Sequence, residues 1–434
     1  MNKEILRLAV PSILANITIP LVGLVDTAIV GHISDVSAIG GIAIGTMLFD
    51  LLYWNFGFLR VGTSGLTAQA LGAGKRTECA MLLRQSMIIA LAASLAIWAM
   101  QWLCVEAVLA LVPCSAEVEN VARHYFFIRI WAAPATLSLM AFKGWFIGMQ
   151  DTRSPMAVDI LVNVVNMVAS YLLAVTADLG FEGVAWGTLI AQYSGFLLAQ
   201  IILFSRYREI ALIAGRPKKA HQHEWGRLVR LNGNLFVRSL CFMVVYVGFT
   251  SLAGHYGDMQ LAVSSILMKL FMLFSYFVDG FAYAGEALVG RAIGEKTRNE
   301  RLTNLVRLLF NWSIGVGLLF TAIYAIWGME CIGLLTNKSD VLSAAQPYLG
   351  WLIAMPIVST LAFMWDGVYV GATAGVAIRN AMIWAALAFV LAYVATYRFV
   401  GVQALYIAYF AHLIARVIYL SVKWRTISKE CIQN

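Results

Sequence analysis

Charged residues are scarce in this chain of 434 residues: they make up 12% of it, and 61% of the residues are hydrophobic. A soluble domain normally carries about 25% charged residues. No polar linker divides the chain into blocks of the size of soluble domains. Apolar stretches of about 20 residues, long enough to cross a bilayer, instead recur from end to end. The composition excludes a soluble enzyme and indicates a polytopic membrane protein.

Motifs for metals, nucleotides and catalysis are also missing. The six cysteines form no CxxC pair, and no HExxH motif occurs. Gly74-Lys75 lacks the earlier glycine of a phosphate loop, since position 69 is Gln69. The segment 62–65, GTSG, resembles a protease serine loop, but small residues at a helix crossing explain it better. We therefore expect no cofactor, no metal site and no enzymatic activity.

Hydrophobic runs between loop signals predict an all-α protein with twelve transmembrane helices. The predicted spans are 5–31, 36–71, 79–112, 120–149, 155–178, 182–205, 226–254, 258–292, 302–335, 341–371, 377–397 and 400–422. Several exceed the minimum length, which indicates tilted or kinked helices.

Basic residues are distributed unevenly over the predicted loops. With the N-terminus inside, the inward loops and tails hold 23 of the 31 lysines and arginines, with Arg416 counted on the inward side, and the outward loops hold 3. This asymmetry follows the positive-inside rule. It places both termini in the cytoplasm and attributes the net charge of +8 to topology rather than to nucleic-acid binding.

An internal repeat appears at an offset of about 223 residues. The matching strings are Gly31-His32 with Gly254-His255, Gly144-xxx-Gly148 with Gly367-xxx-Gly371, and, at an offset of 222, Ala70-Leu71-Gly72 with Ala292-Ile293-Gly294. Each copy holds six spans, an even number, so both copies insert the same way up, as in many transporters. The predicted organisation is an N-terminal lobe at 1–205, a cytoplasmic linker at 206–225, a C-terminal lobe at 226–425 and a cytoplasmic tail at 426–434.

Asp26 lies deep in the first predicted span, six residues after Pro20. Ionisable residues inside a membrane are costly and are candidates for function. Proline removes a backbone donor, which leaves a carbonyl group that a protonated acid can satisfy. Asp26 is therefore a candidate proton-coupling residue. The alternative is a structural ion pair with Arg60 or Arg129.

The second half of the chain contains a second group of candidates. Asp279 and Glu286 are seven residues apart on one predicted helix and share a face, and Asp366 lies on another span. Lys269 precedes Asp279 by ten residues. These residues predict either a substrate or cation site or a static cluster of charges.

Polar residues on the fifth and sixth predicted spans can form a hydrogen-bonded group. Asn163, Asn166 and Ser170 lie on the fifth span, where Asn166 and Ser170 share a face, and Thr188 lies on the sixth. Polar contacts between packed helices are the alternative interpretation.

Several longer strings resemble the multidrug and toxic compound extrusion (MATE) family, and most closely its DNA-damage-inducible (DinF) branch. They are NITIP at 16–20, GLVDT at 23–27, GFLR at 57–60, GLTAQA at 65–70, DGFAYA at 279–284 with EA at 286–287, and the segments 366–373 and 379–380. The likeness extends over nearly the whole chain. It implies two six-helix lobes around a V-shaped cavity and export of drug-like compounds driven by an ion gradient.

The resemblance also implies roles for particular residues. The first-span acid that matches Asp26 is a proton site in this family, with partners that match Asn166, Ser170 and Thr188. Many relatives have an acid at the position of Ser170, so Asp26 is the main acid of this site. The match of Asp366 belongs to a C-lobe site that relatives use for cation coupling.

The sequence therefore predicts a monomeric secondary antiporter of the cytoplasmic membrane. We expect it to export amphipathic, cationic compounds in exchange for protons, with sodium as the alternative coupling ion. The second hypothesis is a flippase for lipid-linked precursors, for which Arg60, Arg129 and Lys269 would supply positive charge. The bilayer and a small-molecule substrate are the expected partners, and nucleic acid is not.

Overall fold

The computed structural model describes residues 1–33, 36–109, 115–214, 222–336 and 338–433. Within its helices, side chains at 19, 21, 24, 26–28, 30–33, 36–38, 107–108, 222–224 and 431–433 lie outside the described part. All regular secondary structure in these ranges is helical.

The first half of the chain forms helices α1 to α9. Their bounds are α1 Asn2–Ile33, α2 Val36–Trp54, α3 Phe58–Gly72, α4 Arg76–Leu109, α5 Ala116–Arg129, α6 Ala133–Gly148, α7 Arg153–Tyr171, α8 Gly180–Arg206 and α9 Arg208–Ala214. Short 3-10 turns at Asn55–Gly57 and Ile130–Ala132 join α2 to α3 and α5 to α6, and a π-helix at Leu172–Thr176 extends α7.

The second half forms helices α10 to α16. Their bounds are α10 Gln222–His255, α11 Asp258–Gly294, α12 Asn299–Gly333, α13 Ser339–Ala345, α14 Leu349–Gly371, α15 Gly375–Val400 and α16 Gln403–Gln433. A 3-10 turn at Gln346–Tyr348 joins α13 to α14.

These helices confirm the predicted all-α polytopic fold. Among the described residues, 11 helical stretches are long and apolar enough to cross a membrane. The helix α1 adds a further stretch of 32 residues and continues through Pro20. The ends differ from the predicted spans by a few residues, except that α16 continues to Gln433, well beyond the expected end at 422.

The internal repeat is visible in the backbone. Three pairs of residues with positive φ recur at offsets of 222 or 223: Gly74 (71°) with Lys296 (51°), Gln150 (65°) with Thr373 (53°), and Asp178 (57°) with Gly401 (57°). Residues other than glycine adopt this conformation uncommonly. Its recurrence at equivalent positions shows that both halves turn the chain in the same way.

Helix packing repeats as well. In the first half, a Cβ atom at Gly144 would lie 2.1 Å from the carbonyl oxygen of Arg60, and one at Gly148 would lie 2.6 Å from that of Ser64. Only glycine permits such an approach of α6 to the backbone of α3. Both contacts join residues 84 positions apart, so the two helices run parallel in a fixed register.

The second half has the same arrangement. A Cβ atom at Gly367 would lie 2.4 Å from the carbonyl oxygen of Ala282, and one at Gly371 would lie 2.8 Å from that of Glu286. These contacts join α14 to α11 at a separation of 85 positions. The two halves of the chain are therefore structural repeats.

The chain divides into two compact units. One consists of Met1–Ile13, Ala68–Gly74 and Val229–Asn434, and the other of Leu14–Thr67 and Lys75–Leu228. Aromatic side chains fill both interiors, for example Phe271 in the first unit and Trp145 in the second, each buried. The division into lobes at 1–205 and 226–425, a linker at 206–225 and a tail at 426–434 stays a prediction.

Candidate functional site

The helices α7 and α8 approach each other along a face of small residues. Gly183, Gly187, Ala191 and Gly195 recur at every fourth position of α8 and are buried. Cβ atoms at the three glycines would lie 2.4 Å from the amide nitrogen of Ala174, 2.4 Å from Ser170 Oγ and 2.3 Å from Val162 Cγ2, respectively. In these contacts, residue numbers rise along α8 while they fall along α7, so the two helices are antiparallel. Such a face lets two backbones come close.

This close packing creates a buried polar group, here called the α7–α8 polar cluster, which consists of Asn166, Ser170 and Thr188. Asn166 Nδ2 donates to Thr188 Oγ1 at 3.0 Å, and Thr188 Oγ1 donates to the carbonyl oxygen of Val184 at 3.1 Å. The threonine hydroxyl therefore acts as the acceptor that orients the asparagine amide. The structure thus brings together two of the residues predicted for the N-terminal site.

Two atoms of the cluster retain hydrogen-bonding capacity. Asn166 Oδ1 and Ser170 Oγ are buried and have no hydrogen-bond partner within the described part of the chain. A buried polar atom without a partner costs about 1–3 kcal/mol. Asn166 Oδ1 can therefore accept a hydrogen bond from a further donor group.

The helix α1 runs beside α7 in a parallel register. Asn163 Nδ2 donates to Thr18 Oγ1. Further along, Ile29 packs in one hydrophobic cluster with Ala174 and Val184. The pairs 18 with 163 and 29 with 174 are both separated by 145 positions. The constant separation indicates that the two helices stay side by side between these contacts.

Position 26 belongs to this stretch of α1. The side chain of Asp26 lies outside the described residues, so its predicted ion pair with Arg60 or Arg129 stays a prediction. In the register of α1 and α7, its backbone is level with the end of α7, which carries Ser170. The π-helix that follows there is a local irregularity of a kind frequent at functional sites.

The proposed charge partners lie in different surroundings. Arg129 Nη1 donates to the hydroxyl of Tyr125 at 3.0 Å, and its guanidinium carbon lies 4.7 Å from the ring centre of Phe49. This aromatic enclosure allows a cation–π contact. Lys269 is exposed on α11 and makes no ion pair among the described residues. Arg60 lies on α3, where its carbonyl oxygen faces Gly144.

Asp366 lies between two arginines. Arg416 Nε donates to Oδ1 at 3.2 Å, Arg416 Nη2 also bonds Oδ2, and Arg238 Nη2 bonds the same Oδ2. These three residues, from α10, α14 and α16, are here called the Asp366 cluster. Asp366 is 7% exposed and Arg416 is 1% exposed.

No sequence pattern predicts this cluster. The count of basic residues places Arg416 on the inward side of the membrane, whereas the structure buries it in α16. The partners lie 50 and 128 positions from Asp366, so no local spacing connects them. The one available signal was that Arg238 and Arg416 fall within or beside apolar runs.

The other two candidate acids of the second half lie on α11. Glu286 is buried and Asp279 is half-buried, two helical turns apart. Within the described ranges, no group of three or more His, Cys, Asp or Glu residues could hold a metal ion.

A further ion pair, which no sequence pattern predicts, joins Lys143 on α6 to Asp159 on α7, and both side chains are half-buried. The offset of 223 makes Lys143 the equivalent of Asp366. The two repeats therefore carry opposite charges at one structural position.

Comparison with other proteins gives two kinds of likeness. The family model MatE matches residues 11–172 and 235–398, one match in each repeat. The DNA damage-inducible protein F of Escherichia coli (strain K12) is 34% identical over 425 residues, which cover 98% of this chain and 92% of that protein. The probable multidrug resistance protein NorM of Thermotoga maritima is 25% identical, over 73% of this chain and 69% of that protein.

Among solved structures, a multidrug resistance MATE family transporter of the MOP superfamily, described as outward-facing, superposes with a TM-score of 0.90. It covers 99% of this chain and 96% of its own at 18% identity. At that identity, the likeness shows a shared fold.

Proposed function

Because the chain belongs to the MatE family of multidrug and toxic compound extrusion transporters, we propose that it exports amphipathic, cationic compounds in exchange for protons. The proposed location is the cytoplasmic membrane, with both termini in the cytoplasm. The positive-inside distribution of lysine and arginine supports this orientation. The family match favours extrusion over lipid-precursor flipping.

The observation that carries proton coupling is the unused acceptor of the α7–α8 polar cluster. Thr188 fixes the amide of Asn166 by accepting from Nδ2, so Oδ1 points to where a donor is needed. A carboxylic acid donates a hydrogen bond only when it is protonated. Asp26 lies on the neighbouring stretch of α1, level with this cluster, and is the proposed donor.

Asp26 also couples proton binding to substrate binding in this proposal. Antiport requires that binding of the proton and binding of the substrate disfavour each other. When Asp26 is protonated, it donates to the cluster and holds α1 against α7. When it is ionised, it loses that bond, attracts water and favours a cationic substrate through Coulomb attraction.

One carboxyl group is enough for this cycle. The family resemblance implies that Ser170 stands where many relatives carry a second acid. Its hydroxyl is buried without a partner in the described part of the chain. We therefore expect a single proton-exchanging group in this unit. Both oxygens of Asp366 already accept from arginines, which leaves Asp26 as the preferred coupling residue.

Transport in proteoliposomes tests the proposal. A cationic dye is followed under an imposed proton gradient and, separately, an imposed sodium gradient. Wild-type protein should respond to the proton gradient, and Asp26→Asn, which mimics the protonated state, should abolish that response. The matched control is Asp258→Asn, an exposed carboxylate at the start of α11, which should transport normally.

Normal proton-driven export by the Asp26→Asn protein would contradict the proposal. It would move the coupling site to Asp279, Glu286 or Asp366. Export driven by sodium alone would replace the proton as the coupling ion. Melting temperature in detergent shows whether each variant is folded before its transport is compared.

A further inference from the structure

The Asp366 cluster has more positive than negative charge. Two guanidinium groups contact one carboxylate, so one positive charge within the cluster is unmatched. A charge inside a membrane protein is costly unless it is paired. The equivalent position of the other repeat shows the balanced arrangement, in which Lys143 pairs with the single carboxylate of Asp159.

The two arginines differ in accessibility. The side chain of Arg416 is 1% exposed, and both its Nε and its Nη2 bond Asp366. The side chain of Arg238 is 24% exposed, and it bonds Asp366 through Nη2 alone, at an oxygen that Arg416 also bonds. Arg238 Nε is buried and has no hydrogen-bond partner among the described residues. Arg416 is thus the fixed partner of Asp366, and Arg238 has an unused buried donor, Nε, on a side chain that is only partly buried.

A guanidinium group binds a carboxylate best through two parallel hydrogen bonds. Arg238 makes no such pair with Asp366, because Arg416 occupies Oδ1. A second carboxylate could bond Nε and an Nη atom together once the Arg238 side chain turns away from Asp366. It would also balance the unmatched charge.

We propose that Arg238 is a binding site for the carboxylate group of an amphipathic ligand, and that Asp366 is the internal competitor for this arginine. In the empty site, Arg238 is paired with Asp366. In the occupied site, Arg238 turns to the ligand while Arg416 keeps Asp366 paired. The site extends the substrate class beyond cations to molecules that carry a carboxylate, and it does not depend on proton coupling at Asp26.

Equilibrium binding to the purified protein in lipid nanodiscs tests the site. The probe is undecanoic acid labelled with dansyl at the end remote from the carboxyl group, and its methyl ester is the uncharged counterpart. The acid should bind about tenfold more tightly than the ester or better, because the ester cannot form the charged pair. Arg238→Gln should remove this difference, and Arg238→Lys should keep part of it.

The Asp366→Asn variant shows whether Asp366 competes with the ligand for Arg238 or only supports the structure. Competition requires that this variant bind the acid several-fold more tightly than wild type, whereas Arg238→Gln binds it more weakly. A structural role would make both variants weaker. The matched control is Arg379→Gln, which should leave the affinity unchanged. The Arg379 guanidinium bonds the amide oxygens of Asn234 and Asn380 and no carboxylate among the described residues.

Equal affinity for acid and ester in wild type would overturn the inference, as would unchanged acid binding by Arg238→Gln. Weaker binding by a folded Asp366→Asn protein would overturn the competitor role. Should Asp366→Asn fail to fold, the ratio of acid to ester affinity in wild type and Arg238→Gln still decides the site. The assay needs no ion gradient, so failure of the proposed antiport leaves its result interpretable.

Discussion

Gly72 and Gly294 make reciprocal contacts at the ends of α3 and α11. A Cβ atom at Gly72 would lie 2.1 Å from the carbonyl oxygen of Arg291, and one at Gly294 would lie 2.1 Å from that of Gln69. Both pairs belong to one compact unit, and both are related by the repeat offset of 222. The two helix ends therefore cross with local twofold symmetry.

This crossing predicts that Gly72→Ala and Gly294→Ala destabilise the protein to a similar extent. Each added methyl group would meet backbone atoms, which can move only if the helices separate. Overpacking of this kind costs about 1–3 kcal/mol. Melting temperature of the purified protein is the measurement, and Gly315→Ala is the control, because that glycine has open space around it. Equal stability of Gly72→Ala and Gly315→Ala would contradict the crossing.

The contact between Gly187 and Ser170 predicts that a larger residue at position 187 disrupts the α7–α8 polar cluster. Gly187→Ala would place a methyl group 2.4 Å from Ser170 Oγ, so α8 must move away from α7. Asn166 and Thr188 then lose their alignment. We expect proton-driven dye export to fall about tenfold or more, with a stability loss of about 1–3 kcal/mol. Export equal to that of Gly315→Ala protein would show that the cluster tolerates the shift.

Thr188→Val should change the pH dependence of export. The substitution keeps the shape of the side chain and removes the acceptor of Asn166 Nδ2. Asn166 is then less well oriented to accept from protonated Asp26, so the protonated form is stabilised less. One hydrogen bond is worth about 1 kcal/mol, so the midpoint of export against pH should move down by about 0.7 pH units.

The control for this shift is Thr250→Val. Thr250 is a helical threonine that also donates to a carbonyl four residues earlier, that of Tyr246, but it is exposed on α10. It should leave the midpoint unchanged. An upward shift for Thr188→Val would show that the cluster favours the ionised form of its proton donor, contrary to the proposed cycle.

The fold was largely predictable from sequence because apolar runs and turn residues report membrane spans directly. The repeat was predictable too, since glycines such as Gly144 and Gly367 are needed at the same contact in both halves. The positive φ of Gln150 and Thr373 was not, because neither residue type signals that conformation. The π-helix after Tyr171 likewise left no signal in the residues that form it.

The candidate site was predictable only in part. Asn166 and Thr188 are 22 positions apart on adjacent helices of one hairpin, so helical periodicity could bring them together. Arg238, Asp366 and Arg416 come from three helices distant in sequence, and their meeting depends on tertiary packing. A count of charges by loops also treats an arginine near a helix end as exposed, whereas Arg416 is buried in α16.

The ion pair between Lys143 and Asp159 should stabilise the second unit. Both side chains are partly exposed, at 29% and 20%, and they link α6 to α7. Lys143→Gln and Asp159→Asn should each lower the melting temperature, because each leaves the other charge unpaired in a low-dielectric environment. The double variant should lose less than the sum of the two, with a coupling energy of about 0.5–3 kcal/mol.

The Asp366 cluster should respond differently because its charges are unequal. Arg238→Gln leaves one arginine for one carboxylate and should cost less stability than Lys143→Gln, which leaves a carboxylate alone. Melting temperatures measured in one detergent decide between these cases. A larger loss for Arg238→Gln than for Lys143→Gln would show that Arg238 is an essential structural partner of Asp366, and that the excess of positive charge in this cluster is compensated by another group.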